Sequence, residues 1–176
     1  MENNLLEKGY IHVYTGNGKG KTTAALGLSL RAVCAGKKVF FGQFIKGMEY
    51  SELHAENILH NFKIEQFGRN CFIYNQPQEE DIRKAEDGLN KIEEVLTGGD
   101  YDIVVLDELN IALHYRLFSV DRVIEILKNR KSNIEVVITG RYAPEKIIEI
   151  ADLVTEMKEI KHYYKDGVEA RTGIEK

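Results

Sequence analysis

Short apolar runs alternate along the chain with segments in which apolar residues recur every three or four positions. The runs, such as Val39-Phe40-Phe41 and Ile103-Val104-Val105-Leu106, have the length of strands and end in polar or glycine-rich turns. The periodic segments have the pattern of amphipathic helices, and the clearest series consists of Ile82, Ala85, Leu89, Ile92 and Leu96. Helices alternating with continuously apolar strands are typical of a mostly parallel sheet covered on both faces.

The predicted elements cover the chain without a repeat, a low-complexity tract or a linker. Strands are expected at residues 9–14, 38–45, 64–67, 102–107, 134–139 and 153–157. Helices are expected at residues 22–35 and 77–98, from 119 and from 144, with a short helix or ordered loop at 51–62 and a helical turn at 111–115. The turn residues Asp166-Gly167 predict a hairpin over residues 160–171. We expect one α/β domain comprising residues 1–176.

The turn after the first strand carries the clearest chemical signal. Its glycines let the backbone curl so that successive N–H groups point at an anion, and the following helix adds its positive N-terminal end. In such a loop Lys21 reaches phosphate oxygens and the Thr22 hydroxyl holds Mg²⁺. The loop residues expected to bind a nucleotide are Thr15, Gly16, Asn17, Gly18, Lys19, Gly20, Lys21, Thr22 and Thr23.

The loop departs from the P-loop pattern G-x-x-x-x-G-K-[ST] at one position. Thr15 stands where the first glycine is expected, and Gly16 follows it. Either the loop is one residue tighter or threonine is tolerated there. The alternative is a glycine-rich turn that binds nothing, but the strand–helix context with Lys21 and Thr22 favours phosphate binding. The spacing bears mainly on which phosphate is held and in which direction.

Three further polar clusters follow predicted strands: Gln43 with Lys46, Asp107-Glu108, and Thr139-Gly140-Arg141. Because ligands bind beyond the carboxyl ends of parallel strands, we expect these clusters and the glycine-rich loop to form one active site.

Two of these clusters suggest specific roles, each with an alternative. Asp107 and Glu108 can hold Mg²⁺ opposite Thr22. The alternatives are that they cap a helix or that one of them activates water for hydrolysis. Arg141 can clamp phosphate or stack on a base, or it is an ordinary surface arginine.

The irregular stretch at residues 68–76 contains Phe72 and Tyr74. Exposed aromatic side chains on a loop can form a platform for a large ring ligand. The alternative is that they anchor the loop to the core.

Composition narrows the class of protein. The chain has 176 residues, of which 43% are hydrophobic and 30% charged, with a net charge of −4. This is typical of a globular protein and argues against nucleic acid as a partner. No apolar run is long enough to span a membrane, and residues 1–4 lack the features of a secretory signal. We therefore expect a cytoplasmic protein that binds neither nucleic acid nor membranes.

The ordered motifs resemble those of the P-loop ATP:corrinoid adenosyltransferases, which make adenosylcobalamin. The resemblance extends from residue 9 to the end of the chain. The matching stretches are residues 15–25, 43–47, 104–109, 138–141, 151–157, 161–162 and 173–175.

The resemblance implies a P-loop, RecA-like fold and a reaction in which Co(I) of a reduced corrinoid attacks the ribose 5′ carbon of ATP and triphosphate leaves. It implies that residues 17–22 hold the triphosphate in the reverse of the usual P-loop direction. By the same likeness Thr22 and Glu108 bind Mg²⁺ with Asp107 alongside. Lys19 and Lys21 suit the task of stabilising the leaving triphosphate, and Arg141 belongs to the nucleotide site. The nucleophile belongs to the corrinoid, so no general base is needed.

The resemblance also implies a corrinoid site and partners. Family members use a Phe and a Trp, two positions apart, to contact the corrin; here these positions hold Phe72 and Tyr74. The tyrosine keeps an aromatic face and adds a hydroxyl. A homodimer and an electron donor such as a flavoprotein are expected. Because little precedes the first strand, any N-terminal segment that covers the partner subunit's site is expected to be reduced.

Two other functions remain open at this point. A P-loop kinase or ATPase would use Asp107 or Glu108 in phosphoryl transfer and would release ADP rather than triphosphate. A non-catalytic nucleotide or corrinoid carrier would bind its ligand stoichiometrically without turnover.

Overall fold

The computed structural model describes residues 7–70 and 76–176, and six strands of this part of the chain form one sheet. The strands are β1 (Ile11–Thr15), β2 (Val39–Phe44), β3 (Phe62–Phe67), β4 (Ile103–Asp107), β5 (Glu135–Thr139) and β6 (Leu153–Glu156). Their order is β3-β2-β4-β5-β1-β6, and every neighbouring pair is parallel. This confirms the predicted α/β sheet. Because β5 lies between β1 and β4, the glycine-rich loop and Asp107 follow strands that are not adjacent.

Helices connect the strands in the predicted order. The α-helices are α1 (Lys21–Cys34), α2 (Glu79–Gly98), α3 (Leu109–His114), α4 (Val120–Asn129) and α5 (Glu145–Ile150), and short 3₁₀ helices lie at Ser51–Asn57 and Tyr163–Asp166. The Ser119 hydroxyl caps α4 by accepting a hydrogen bond from the Arg122 N–H at 3.2 Å, as its sequence context predicts. Across the described residues, every helix is too short or too polar to traverse a lipid bilayer.

Both faces of the sheet are covered, which explains why the central strands are apolar without alternation. On one face α1 packs over Phe41, Val105 and Val137. On the other face the core around Phe40, Leu106 and Ile138 includes residues of α2, α3, α4 and α5. All residues of β2 and β4 are buried, whereas all residues of the edge strand β6 are exposed. The site is therefore built on the rigid central strands.

The predicted hairpin over residues 160–171 is wrong. This stretch contains the 3₁₀ helix Tyr163–Asp166, which ends at Gly167 with a φ of 83°, and no strand follows it. The Asp-Gly signal does produce a left-handed turn, and the Val168 N–H donates to the Tyr163 carbonyl across it at 3.3 Å, but the flanking residues form no strands. Lys19 of the glycine-rich loop binds Tyr163 and Glu175, so long-range contacts replace the local strand pairing.

An ion pair fixes the start of α2 against the chain that follows β3. The Arg69 guanidinium donates to both carboxylate oxygens of Asp81, from Nε at 2.6 Å and from Nη2 at 2.8 Å. Asp81 also accepts from the Gln78 N–H at 2.8 Å and forms a capping box with that residue. Phe72 and Tyr74, the predicted corrinoid contacts, lie outside the described residues.

We expect Asp81→Asn to lower the free energy of unfolding by about 2 kcal/mol at pH 7, because it removes a charged hydrogen-bond partner and weakens the cap. Burial alone would raise the pKa of Asp81, but the hydrogen bonds from Arg69 and Gln78 hold that pKa below its ordinary value. The stabilisation is therefore complete above the unfolded pKa of about 3.9 and disappears as the pH falls through the folded pKa. Urea unfolding of both proteins at pH 7 and pH 3 measures this, and an equal difference at both pH values would contradict it.

Candidate functional site

The glycine-rich loop is shaped by a neighbouring segment as well as by its own glycines. Gly16 and Gly20 have φ values of 96° and 112°, which favour glycine. A Cβ on Gly16 or Gly18 would stand 2.5 or 2.7 Å from the carbonyl oxygen of Met157. The Gly18 N–H donates to this oxygen at 2.6 Å. The Gly18 N–H is therefore paired with the segment after β6 in this structure.

Lys21 lies beneath the loop, with 7% of the residue exposed. Its ammonium donates to the carbonyl oxygens of Gly16 at 2.9 Å and Gly18 at 2.7 Å. Burial lowers the pKa of Lys21, with smaller opposing effects from Glu108 and Asp107. The ammonium is thus held against the loop, where it would meet a phosphate bound there.

Asp107 is the point at which the polar clusters meet. It is fully buried, and its Oδ1 accepts from the hydroxyls of Thr22 at 2.8 Å and Thr139 at 2.7 Å. Its Oδ2 accepts from Gln43 Nε2 at 3.2 Å and Lys46 Nζ at 2.9 Å. The donors come from the start of α1, from β2 and the turn after it, and from the end of β5, so the clusters predicted to share one sheet edge do so.

Glu108 follows Asp107 at the end of β4 and lines the cavity at this edge of the sheet. Its φ of 59° places it in the left-handed region, and its N–H donates to the Thr139 hydroxyl at 3.0 Å. It occupies the N-cap position of α3, but its side chain makes no capping hydrogen bond, which removes the helix-cap alternative for this residue. Burial, reinforced by the charge of Asp107, raises the pKa of its carboxyl.

Positive φ values recur where strands end at this edge. Besides Glu108 after β4, Ile45 after β2 has a φ of 63° and Tyr142 beyond β5 has a φ of 60°. A non-glycine residue held in this region costs about 1 kcal/mol or more. Such strain clusters at functional sites, and here it follows three strands that end at one edge of the sheet.

A cavity of about 780 Å³ opens at this edge, a size within the range of small-molecule sites. The predicted residues that line it are Gly18, Lys19, Gly20, Lys21, Thr22, Thr23, Lys46, Glu108 and Arg141. Asp107 lies buried beside it. Thr15, Gly16 and Asn17 are not among its lining residues, and the Thr15 hydroxyl instead accepts from the Ala143 N–H at 3.4 Å.

Several lining residues were not predicted to belong to the site. They are Leu26, Tyr50, Ser51, Glu52, Ile111, Tyr115, Tyr142, His162 and residues 173–176. The short 3₁₀ helix Ser51–Asn57 contributes two of them, and no motif marks it in the sequence. A smaller, more apolar cavity of about 210 Å³ shares Lys46, Tyr50, Glu108 and Ile111 with the first.

The oxygen ligands at the cavity suit Mg²⁺ delivered with phosphates. Mg²⁺ favours one or two carboxylates together with substrate phosphate oxygens and water. The Thr22 hydroxyl and the Glu108 carboxylate both line the cavity. Among residues 7–70 and 76–176, no three His, Cys, Asp or Glu side chains form a self-contained metal site. Asp107 has both oxygens occupied by four donors, so it is placed to orient Thr22 rather than to lie open to the cavity.

A comparison with protein families identifies the family that has this fold and these motifs. The family model described as ATP:corrinoid adenosyltransferase BtuR/CobO/CobP matches residues 7–175. The chain belongs to this family.

Relatives of the ATP:corrinoid adenosyltransferase family are similar over most of their length. A corrinoid adenosyltransferase from Sinorhizobium sp. is 39% identical, with 96% of this chain and 81% of the relative covered. A corrinoid adenosyltransferase from Pseudomonas aeruginosa is also 39% identical, with 96% of this chain and 84% of the relative covered. Corrinoid adenosyltransferase CobA from Salmonella typhimurium is 37% identical, with 96% of this chain and 86% of the relative covered. The family resemblance read from the motifs, and with it the P-loop type of α/β fold, is confirmed.

We expect Lys46→Met to lower the free energy of unfolding by about 3 kcal/mol, because it leaves the buried Asp107 carboxylate without its cation. Urea unfolding measures the loss. The double variant Lys46→Met/Asp107→Asn should recover part of it, since the uncompensated charge is gone. Lys63→Met is the matched control, because the ion pair of Lys63 with Glu56 is much more exposed than that of Lys46 with Asp107. Equal losses for the two single variants would contradict the role of Lys46.

Proposed function

We propose that this chain transfers the 5′-deoxyadenosyl group of ATP to Co(I) of a reduced corrinoid and releases triphosphate. The observation that carries the proposal is the meeting of Lys21, Thr22, Glu108 and Arg141 around one cavity in a member of the ATP:corrinoid adenosyltransferase family. The electron pair of Co(I) forms the bond to the 5′ carbon as the bond between that carbon and the triphosphate oxygen breaks. Those bonding electrons leave with the triphosphate.

The reaction requires alignment and charge stabilisation rather than proton abstraction. The corrinoid supplies the nucleophile, so the protein has to hold the 5′ carbon in line with cobalt and offset the charge that grows on the triphosphate. Lys21 is suited to the second task because its ammonium is buried beneath the loop. Arg141 lines the same cavity and supplies a second cation. Mg²⁺, held by Thr22 and Glu108, would neutralise further negative charge on the phosphates.

Each remaining part of the proposal rests on the family likeness. Loop residues 15–18 and 20–23 and Arg141 bind the nucleotide, and Phe72 and Tyr74 contact the corrin. The enzyme acts as a homodimer in the cytoplasm and receives its cobalt in reduced form through an electron donor such as a flavoprotein.

We expect the protein, incubated with ATP, Mg²⁺ and chemically reduced cobalamin, to produce adenosylcobalamin and triphosphate in equal amounts. Lys21→Ala should lower kcat by about 10²- to 10³-fold, the usual effect of losing one preorganised charge-stabilising donor. The corrinoid absorbance spectrum and phosphate chromatography measure the two products. Lys128→Ala, which removes an exposed lysine of α4, is the control that should retain activity. Release of ADP and phosphate without a change in the corrinoid spectrum would show a phosphoryl-transfer enzyme instead.

We expect Glu108→Gln to raise the Mg²⁺ concentration needed for half-maximal rate by at least about tenfold, because the amide replaces a charged metal ligand. Titration of Mg²⁺ at saturating ATP and reduced corrinoid measures the effect. Glu125→Gln, which neutralises an exposed carboxylate on α4, is the matched control. An unchanged Mg²⁺ requirement in Glu108→Gln would assign the metal to other ligands.

A further inference from the structure

The chain after β6 returns to the glycine-rich loop and packs against it. We call residues 163–176 the closing segment. Contact with the loop begins just before it, where the Met157 carbonyl accepts the Gly18 N–H. It continues where Lys19 Nζ donates to the Tyr163 hydroxyl at 2.9 Å and to the Glu175 carboxylate. Residues separated by more than 140 positions in sequence therefore meet at the loop.

Glu175 is the centre of this contact. Its carboxylate accepts hydrogen bonds from Lys19, from the Tyr163 hydroxyl and from Arg171. The Arg171 contacts comprise the backbone N–H at 2.8 Å, Nη2 at 3.2 Å and Nε at 3.3 Å. Only 15% of the Glu175 side chain is exposed, although most of the surrounding segment is exposed. These donors hold the pKa of Glu175 far below its ordinary value, so the carboxylate is ionised.

The two cations also lie close to the Tyr163 ring. Lys19 Nζ lies 5.5 Å and the Arg171 guanidinium carbon 5.1 Å from the ring centroid, within the range of cation–π contacts. An isolated surface ion pair contributes little to stability, but several charges in a network with a shared aromatic contact are an exception to that rule. Lys19 is therefore directed toward the closing segment, whereas Lys21 is directed beneath the loop.

The anchored segment forms part of the cavity. Residues 173–176 line the same cavity as Lys21, Thr22 and Arg141. At its far end the Lys176 carbonyl accepts a hydrogen bond from the Ser51 hydroxyl at 3.0 Å, in the 3₁₀ helix after β2. The closing segment is thus tied to the loop on one side of the cavity and to the Ser51 helix on the other.

We propose that Glu175 is a positioning residue for the nucleotide: by pairing with Lys19 it holds residues 173–176 in place as a wall of the cavity. In this assignment Lys19 anchors the wall, and Lys21 is the loop lysine that meets the phosphates. That the bound molecule is ATP rests on the proposed function, whereas the anchoring itself does not.

The kinetic test uses Glu175→Gln, Lys19→Met and the double variant. Each single variant should raise the KM for ATP at least about fivefold and change kcat by less than about twofold, because the wall is displaced while Lys21 remains. The double variant should be no worse than either single variant, since both remove the same contact. Glu169→Gln is the control, because Glu169 is an exposed residue of the closing segment outside the Lys19 network. A large fall in kcat for Lys19→Met alone, or additive effects in the double variant, would overturn the proposal in favour of a direct phosphate contact.

The structural test needs no substrate. Hydrogen–deuterium exchange of the ligand-free protein should be faster in residues 163–176 of Glu175→Gln and Lys19→Met than in wild type or Glu169→Gln. Unchanged exchange in both variants would overturn the anchoring. If wild type transfers no adenosyl group, the proposed function fails, and the exchange experiment still decides whether Glu175 holds the segment.

Discussion

The buried carboxylate of Asp107 is the constraint on which the site depends. A charge removed from water costs several kcal/mol unless it is paired and its oxygens are hydrogen-bonded. Asp107 meets both conditions with donors from Thr22, Thr139, Gln43 and Lys46. Burial alone would lower the pKa of Lys46, but its charge interaction and hydrogen bond with Asp107 outweigh that effect and raise it. The hydrogen bonds to this one carboxylate therefore fix the positions of three strand ends and the start of α1 relative to one another.

This constraint explains how the loop can be preorganised for the phosphates that we propose it binds. The Thr22 hydroxyl is oriented by Asp107, and the Lys21 ammonium is held by two loop carbonyls. A site whose polar groups are already oriented reorganises little when charge develops, which is the main source of electrostatic catalysis. The left-handed backbone at Ile45 and Glu108 persists because the buried strands before these residues fix where they must lie.

The sequence predicted well those features that depend on local periodicity or on strand ends. The long helix α2 and the buried strands β2 and β4 follow from apolar patterns that both faces of the sheet enforce. The meeting of the polar clusters follows from parallel strands ending at one edge. The hairpin over residues 160–171 failed because an Asp-Gly pair reports only a turn. Tyr163 before this turn and Glu175 after it instead contact Lys19, which is distant in sequence. Nothing in the sequence around Lys19 indicates these contacts.

The adjacent acids Asp107 and Glu108 show why site chemistry was only partly predictable. Both were expected near the metal, and their positions after the same predicted strand do not distinguish their roles. The strand β4 ends at Asp107, whose side chain is buried among four donors, whereas Glu108 adopts a φ of 59° and lines the cavity. The change in backbone conformation between them separates an acid that organises the protein from one that is available to a metal. That change depends on the Thr139 hydroxyl, which donates to Asp107 and accepts from the Glu108 N–H, so a residue of another strand assigns the two roles.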